Sequence, residues 1–254
     1  MGGSTNKTSL GLNQWILADK PTMNDFNEDN RIIDRELNDR VPNRLFSPAR
    51  VINNVPIAEL QDVINSLPKC LDRNITINVL AGTTGAISAT HFSGPGSLSI
   101  VGQNNTHSTT HSIQRLTIRS NSNSYIRING FNITVTNDAG VNVDTTSAQV
   151  HLQFLRIIGV SAGTLNNIGI LAGHTPYCRI NDCLISNKLA AMQINHGTRS
   201  VISGMSGSIN DIAFNLAGGS ILQFINAGSI SGNIRHRIQT GSIVVNPSGQ
   251  EIGT

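Results

Sequence analysis

The sequence predicts a mainly β protein, a right-handed parallel β-helix (solenoid) preceded by a short α-helical N-terminal region. Three observations carry this reading. Strand-forming Ile is combined with turn-forming Asn and Gly, acidic residues crowd toward the N-terminus, and two ladders of apolar residues recur along the body.

The composition sets the bounds. The chain has 254 residues, enough for one large or two modest domains. It holds 32 Ile, 30 Asn and 24 Gly, with charged residues at 13% and aromatics at 4%. Ile is stiff at χ1 and suits a pleated, half-buried surface, whereas Asn and Gly accept positive φ and make tight turns. Many short strands joined by many turns follow. A net charge of +3, with no Lys/Arg run interleaved with aromatics, argues against nucleic acid as a partner. Met1 to Lys7 lacks the basic start and apolar stretch of a secretory signal. No window approaches the roughly 18 apolar residues of a membrane span, so membrane insertion is not expected. Cys70, Cys178 and Cys183 have no CxxC spacing and fit synthesis in a reducing cytosol, with neither a disulfide framework nor a metal site.

The acids divide the chain. Seven of fifteen precede Val41, three more precede Ile75, and five are spread over the rest. This predicts a head at 1–40, a linker with a second helix at 41–74, and a solenoid at 75–254. In the head, Leu10 to Leu17 is an apolar segment ending at Asp19-Lys-Pro21. Thr22 then caps a helix running to about Arg40. Phe26, Asn30, Ile33 and Leu37 follow at steps of 4, 3 and 4, the spacing of a coiled-coil seam in which Asn30 would fix register. A lone amphipathic helix packed on its own domain reads equally well from the same positions. After a Pro-marked linker, Val41 to Val55, Pro56 opens a second helix with Ile57, Leu60, Ile64 and Leu67 on one face and Pro68 at its end.

The body repeats. Inward candidates at Ile126, Ile128, Phe131 and Ile133 recur as Val150, Leu152, Leu155 and Ile157, then as Cys178, Ile180, Cys183 and Ile185. Looser copies start at Val201 (with Ser203, Ser206 and Ser208) and Leu222 (with Phe224, Ala227 and Ser229), giving separations of 24, 28, 23 and 21. A second ladder runs Val141/Val143, Ile168/Ile170, Met192/Ile194 and Ile212/Phe214. Two ladders drifting together suit coils that bury their apolar faces by stacking. An antiparallel sandwich would also give short alternating strands, but not two ladders in matched register.

Chemistry-bearing residues do not converge in this register. It stacks Asp182 between Phe154 and Met205, Asp144 with Leu171 and Asn195, and Asp211 with Ala191 and Asn167, so no carboxylate pair for glycoside hydrolysis forms. Asp138 and Asp144 read as solvated turn acids. His107 and His111 have the i, i+4 spacing of a helical metal pair but fall in a Ser/Thr/Asn-rich loop. Cys178 and Cys183 take inward positions as small hydrophobes. Asn129, Asn195 and Asn226 lie near turns, either as an internal amide ladder or as surface residues.

The block Leu10-Gly-Leu-Asn-Gln-Trp15, with Asp19-Lys-Pro21, Asp25-Phe26-Asn27, Asp29-Asn30 and Ile33-Asp34, resembles the N-terminus of tail-fibre and baseplate-attached proteins of phages of Gram-positive bacteria. Ser66-Leu-Pro-Lys69 through Ile75-Thr-Ile-Asn-Val79, Gly82 and Gly94 to Ile100 is similar to the start of the β-helix in such fibres. The resemblance covers about the first 100 residues and implies a homotrimer in the virion tail, or in a phage-like bacteriocin particle. It implies docking to baseplate or other tail proteins through Trp15, Ile16 and Leu17, and a trimer seam at Phe26, Asn30, Ile33 and Leu37. The expected function is a structural fibre shaft without enzymatic activity or cofactor. A receptor-binding protein contacting cell-wall glycan or an S-layer is the alternative, and a polysaccharide depolymerase a second. No aromatic-rich C-terminal segment for sugar binding is present.

Overall fold

The computed structural model describes Leu12 and residues 23–40, 49–134, 138–159, 167–226, 229–239, 241–246, 248 and 250–251. It contains two compact units, residues 1–48 and residues 49–254. The first holds helix α1 (Met23–Arg40), close to the range its apolar spacing predicts. Glu28 and Arg31, one turn apart, form a surface ion pair at 2.7 Å. Of the seam positions, Phe26 is 47% and Ile33 41% exposed in the single chain, and Asn30 is exposed as well. Ile32, beside the predicted stripe, is buried. The side chain of Leu37 and the segment Trp15–Leu17 lie outside the described residues. Among the described residues no helix is long and apolar enough to cross a membrane.

The second unit is a parallel β-solenoid of about 8 turns. It begins earlier than its first clear alternation suggests. Strand β1 (Arg50–Val55) occupies the end of the stretch read as linker and pairs in parallel with β2 (Ile75–Val79). Between them, a 3-10 turn at Ile57–Glu59 leads into α2 (Leu60–Ser66), and Ile57, Leu60, Ile64 and Leu67 are buried as their spacing predicts. Leu67 turns extended before Pro68, as a residue preceding proline should.

Each coil then contributes a strand to one sheet and one or two strands to the other. The first coil is β2 with β3 (Gly82–Thr90), and the second is β4 (Ser97–Val101) with β5 (His111–Arg119). The third is β6 (Tyr125–Asn129), β7 (Asn132–Thr134) and β8 (Val141–Asp144). The fourth and fifth are β9 (Gln149–Gln153), β10 (Arg156–Ile158) and β11 (Ile168–Gly173), then β12 (Tyr177–Asn181), β13 (Leu184–Ser186) and β14 (Ala190–Asn195). The last are β15 (Arg199–Ser203) with β16 (Ser206–Leu216), β17 (Ile221–Asn226) with β18 (Ser229–Ile238), and β19 (Ile243–Val245). The even-spaced strands β2, β4, β6, β9, β12, β15, β17 and β19 make one continuous face, here face A. The remaining strands form the second sheet, whose β3–β5–β8–β11–β14–β16–β18 run is here face B.

Inward side chains stack in columns because a parallel register places residue on residue. On face A, Ile77, Ile100, Ile128, Leu152, Ile180, Ile202 and Phe224 lie in one column. On face B, Val141, Ile170, Met192 and Phe214 lie in another. All of these are at most 5% exposed and belong to one continuous core. Burying whole Ile and Leu side chains contributes roughly 1.5–3 kcal/mol each, which the repeated β-branched residues supply coil after coil.

The register departs from the apolar ladders at defined points. Cys178 pairs with Ser200 and Ile180 with Ile202, so the sixth coil turns Ser200, Ile202 and Met205 inward rather than Val201, Ser203, Ser206 and Ser208. Ser200 is fully buried, and its column position goes to a hydroxyl where apolar identity favours its neighbour. In the second ladder, Val143 pairs with Ala172 and Ile194 with Leu216. Ile168 and Ile212 instead line up with Ala139 and Ala190 in a small separate cluster. The run Ile168 to Ala172 offers three alternating apolar residues, and alternation alone does not choose among them.

Corners are built from residues with positive φ. His91, Ser120, Thr145, His174, His196 and Gly218, all between +47° and +64°, follow the ends of successive face B strands. Gly130, at +72°, meets Gln103 backbone so closely that a Cβ could not fit. Inside, before each face A strand from β6 onward, Asn121, Thr146, Thr175, Thr198, Ser220 and Ser242 are buried. Thr146 donates to the Asn121 carbonyl at 2.8 Å, and Ser242 accepts from the Ser220 amide at 3.1 Å. This hydroxyl column satisfies backbone groups that the turns would otherwise strand.

Candidate surface binding site on face A

The outward side of face A carries an ordered polar grid. Alternate residues of a strand point to opposite sides, so β6 places Tyr125, Arg127 and Asn129 opposite its buried Ile126 and Ile128, with Tyr125 and Arg127 partly exposed and Asn129 itself covered. Register places Gln149, His151 and Gln153 of β9 directly over them. Tyr177, Arg179 and Asn181 of β12 come next. The grid therefore reads Tyr-Arg-Asn, Gln-His-Gln, Tyr-Arg-Asn on three successive coils. Its signal in the sequence is the string Tyr-x-Arg-Ile-Asn, at 125–129 and again at 177–181, which ladder analysis passes over because it scores only apolar positions.

Hydrogen bonds tie the grid together diagonally. The Tyr125 hydroxyl is 2.7 Å from His151 Nδ1, and their rings meet edge to face at 6.3 Å. Arg127 Nε donates to Gln153 Oε1 at 2.9 Å, and Arg179 Nε donates to Asn181 Oδ1 at 3.1 Å. Both guanidiniums are thus anchored through Nε, and among the described residues their terminal nitrogens make no hydrogen bond. On the next coil, Arg199 donates to Gln223 at 2.8 Å. Burial pushes the His151 imidazole down to about 4, and the nearby charges of Arg179 and Arg127 push the same way. Burial raises the Tyr125 hydroxyl, so both groups stay uncharged near neutral pH. His151 Nε2 is buried and has no hydrogen-bond partner among the described residues.

A cleft of about 240 Å³ opens between the two tyrosines, lined also by Gln149, His151 and Arg179. A second of about 390 Å³, lined by Pro95, Asn123, Ser124 and Ser147, shares Tyr125 and Gln149 with it. None of the seven strands from β2 to β17 on this face contains Asp or Glu. The grid holds cationic donors, amides and aromatic rings without a carboxylate, so two-carboxylate hydrolysis has no residues there.

The carboxylates lie elsewhere, and only in part where the apolar ladders put them. Asp144 pairs in register with Arg119 and Gly173, and Gly173 in turn with Asn195, so Asn195 takes its expected place in this column and Gly173 stands where Leu171 was expected. Asp144 accepts from Arg119 and lies 3.0 Å from His174. Burial raises its carboxyl, but the hydrogen bonds from His174, Arg119 and Thr145 outweigh this and leave it below the usual range. Asp138 pairs with Arg115, so these two acids are ion-paired rather than simply solvated. Asp182 follows Phe154 as predicted, but Gly204, not Met205, takes the corner position on its other side. The Asp211 amide donates to the Lys188 carbonyl and its side chain accepts from Asn233; in its column Leu189 stands where Ala191 was expected, with Asn167 beyond it as expected.

Other sequence candidates disperse. His111 opens β5, is buried, and bonds Ser108 at 2.9 Å, whereas His107 contacts the Asp182 carbonyl. Among the described residues no group of His, Cys, Asp or Glu could hold a metal ion. Cys178 and Cys183 are free, fully buried thiols whose pKa values burial pushes up to about 12. Asn129 is buried with its amide toward Asn104, but Asn195 follows a different sheet and Asn226 is exposed, so the three form no common ladder. No protein-family model, curated protein or solved structure matches this chain.

Proposed function

We propose that the chain is a virion structural protein, the shaft of a trimeric fibre attached to the baseplate of a phage or phage-like particle. The observation that supports a shaft is the continuity of the buried columns from β2 to β17, which makes successive coils mutually dependent and the body stiff. A right-handed wind is proposed with it, since parallel crossovers take that hand almost without exception. Attachment rests on the resemblance of the first 100 or so residues. Trp15, Ile16 and Leu17 are proposed to dock on the tail. Phe26, Asn30, Ile33 and Leu37 are proposed as the trimer seam, for which the exposure of Phe26 and Ile33 in one chain leaves apolar surface to cover. No catalytic role or cofactor is proposed.

Removal of residues 1–40 tests the assignment. The truncated protein is expected to keep its β circular-dichroism spectrum, to lose the trimer mass in solution, and to be missing from assembled tails. Incorporation of the truncated protein into tails would overturn docking through the head, and a monomeric full-length chain would overturn the fibre.

A second reading has its own observation. The Tyr-Arg-Asn grid of face A supports contact with a host cell-surface glycan or S-layer along the side of the solenoid. Release of reducing sugar from host wall would instead establish the depolymerase reading.

A further inference from the structure

We infer that the grid of Tyr125, Arg127, Gln149, His151, Tyr177 and Arg179 binds an acidic polysaccharide, a chain of pyranose rings with a carboxylate on alternate rings, lying along the solenoid axis. This inference rests on the side-contact reading and is independent of attachment to a tail.

Charge comes first. Arg127 and Arg179 present guanidiniums that no carboxylate on this face neutralises. A guanidinium held at Nε leaves a planar pair of N–H donors, which matches the two oxygens of a carboxylate. Ring chemistry comes second. The chain contains 2 Tyr, and both stand on this grid in the same register position. Large, stiff, amphipathic rings flanking a cleft suit the flat C–H face of a sugar, with their hydroxyls at its polar edge. Linear polyol phosphates share the charge but offer no ring to these tyrosines.

Spacing comes third. Arg127 and Arg179 are two coils apart, as are the tyrosines, so like groups repeat at about 10 Å, two strand spacings. One coil is close to the length of one pyranose, which puts a carboxylate on every second ring. The intervening coil offers Gln149 and His151, amide and imidazole groups suited to hydroxyls. His151 lines the cleft and stays uncharged through the neutral range.

Titration calorimetry of the full-length chain with hyaluronan oligosaccharides, dextran and poly(glycerol phosphate) tests this. Saturable hyaluronan binding, weakened by salt and at least tenfold by Arg127→Gln/Arg179→Gln, is the expected result, with Arg115→Gln unchanged as the control. Gln149→Glu, at an exposed position, is expected to lose binding to the same degree and covers the case in which the double variant does not fold. Equal binding of dextran would overturn the acidic class while leaving side contact standing. Preference for poly(glycerol phosphate) would overturn the pyranose assignment. Binding of none of the three would overturn both this inference and side contact. A change of mass in solution on Gln149→Glu would assign the grid to a subunit interface and overturn the inference.

Discussion

Faces A and B share one core and one strand spacing, yet they treat arginine in opposite ways. On face B, Arg115 meets Asp138 and Arg119 meets Asp144, which also holds His174. On face A, Arg127, Arg179 and Arg199 meet only amide oxygens. A neutral amide orients a guanidinium without cancelling its charge, whereas a carboxylate does both. Face B is thus electrostatically closed along β5 and β8, although Arg235 and Arg237 of β18 are exposed, and the grid of face A is left open to an anion from outside. The lesson is that a solenoid with a uniform interior separates support from recognition by the choice of outward partner alone.

The largest expected effect removes what the faces share. Ile128→Ala, at a 1% exposed position under the grid, is expected to cost about 2–5 kcal/mol. Urea unfolding would register it as a lower midpoint, and a loss below 1 kcal/mol would show that the coils pack loosely. Next comes an operation that makes face A resemble face B. Gln153→Glu converts the Arg127 contact into an ion pair, with an expected tenfold or greater loss of hyaluronan affinity at nearly unchanged stability. Unchanged affinity would mean that the open guanidiniums are not what separates the faces.

A smaller effect concerns pH. The folded His151 has its pKa near 4, against about 6.5 for an unperturbed imidazole. As pH falls below 6.5, the unfolded chain gains a proton that the folded chain refuses, so this residue lowers stability progressively down to about pH 4, where the effect levels off. His151→Gln should flatten that part of a melting-temperature profile, and an unaltered slope would exclude the residue as its source. The smallest effect opens face B. Asp144→Asn, with Arg119 and His174 half exposed, is expected to cost below about 1 kcal/mol at neutral pH. The Asp144 pKa is depressed in the fold, so its contribution is present above about 3.9 and disappears as pH falls through the folded value. A difference between variant and parent that persists at pH 2 would contradict the assignment.

Much of the architecture is legible from residues alone, and the failures have physical causes. The columns at coils three to five are carried by Ile, Val and Leu together with Phe131, Cys178 and Cys183, and reading their alternation places them correctly. At the sixth coil the inward position holds Ser200 while its outward neighbour is Val201, and hydrophobicity points to the wrong one. The buried Asn121–Ser242 column is hidden for the same reason, since hydroxyls such as those of Thr146 and Ser242 meet backbone of adjacent coils that a linear sequence does not display. Strand β1 lacks alternation because most of it faces solvent. The grid itself was written twice as Tyr-x-Arg-Ile-Asn, but its meaning depends on the register that stacks the two copies with Gln149, His151 and Gln153 between them. None of Trp15, Ile16 or Leu17 enters this comparison, because they lie outside the described residues.

Helix α2 has a consequence that reaches beyond its own coil. The Gln61 side chain accepts from the Ser88 amide at 2.7 Å and donates to the Ser88 carbonyl at 3.2 Å, occupying both groups of one peptide position of β3, while Lys69 donates to the Thr90 carbonyl at 3.3 Å. One amide side chain thus imitates a backbone. Parallel coils are templates by construction, and an unguarded template recruits copies of itself. Gln61 and Lys69 answer peptide groups of β3 on this side with side chains rather than a further strand, which is how a template of parallel coils is kept from recruiting another copy at that edge.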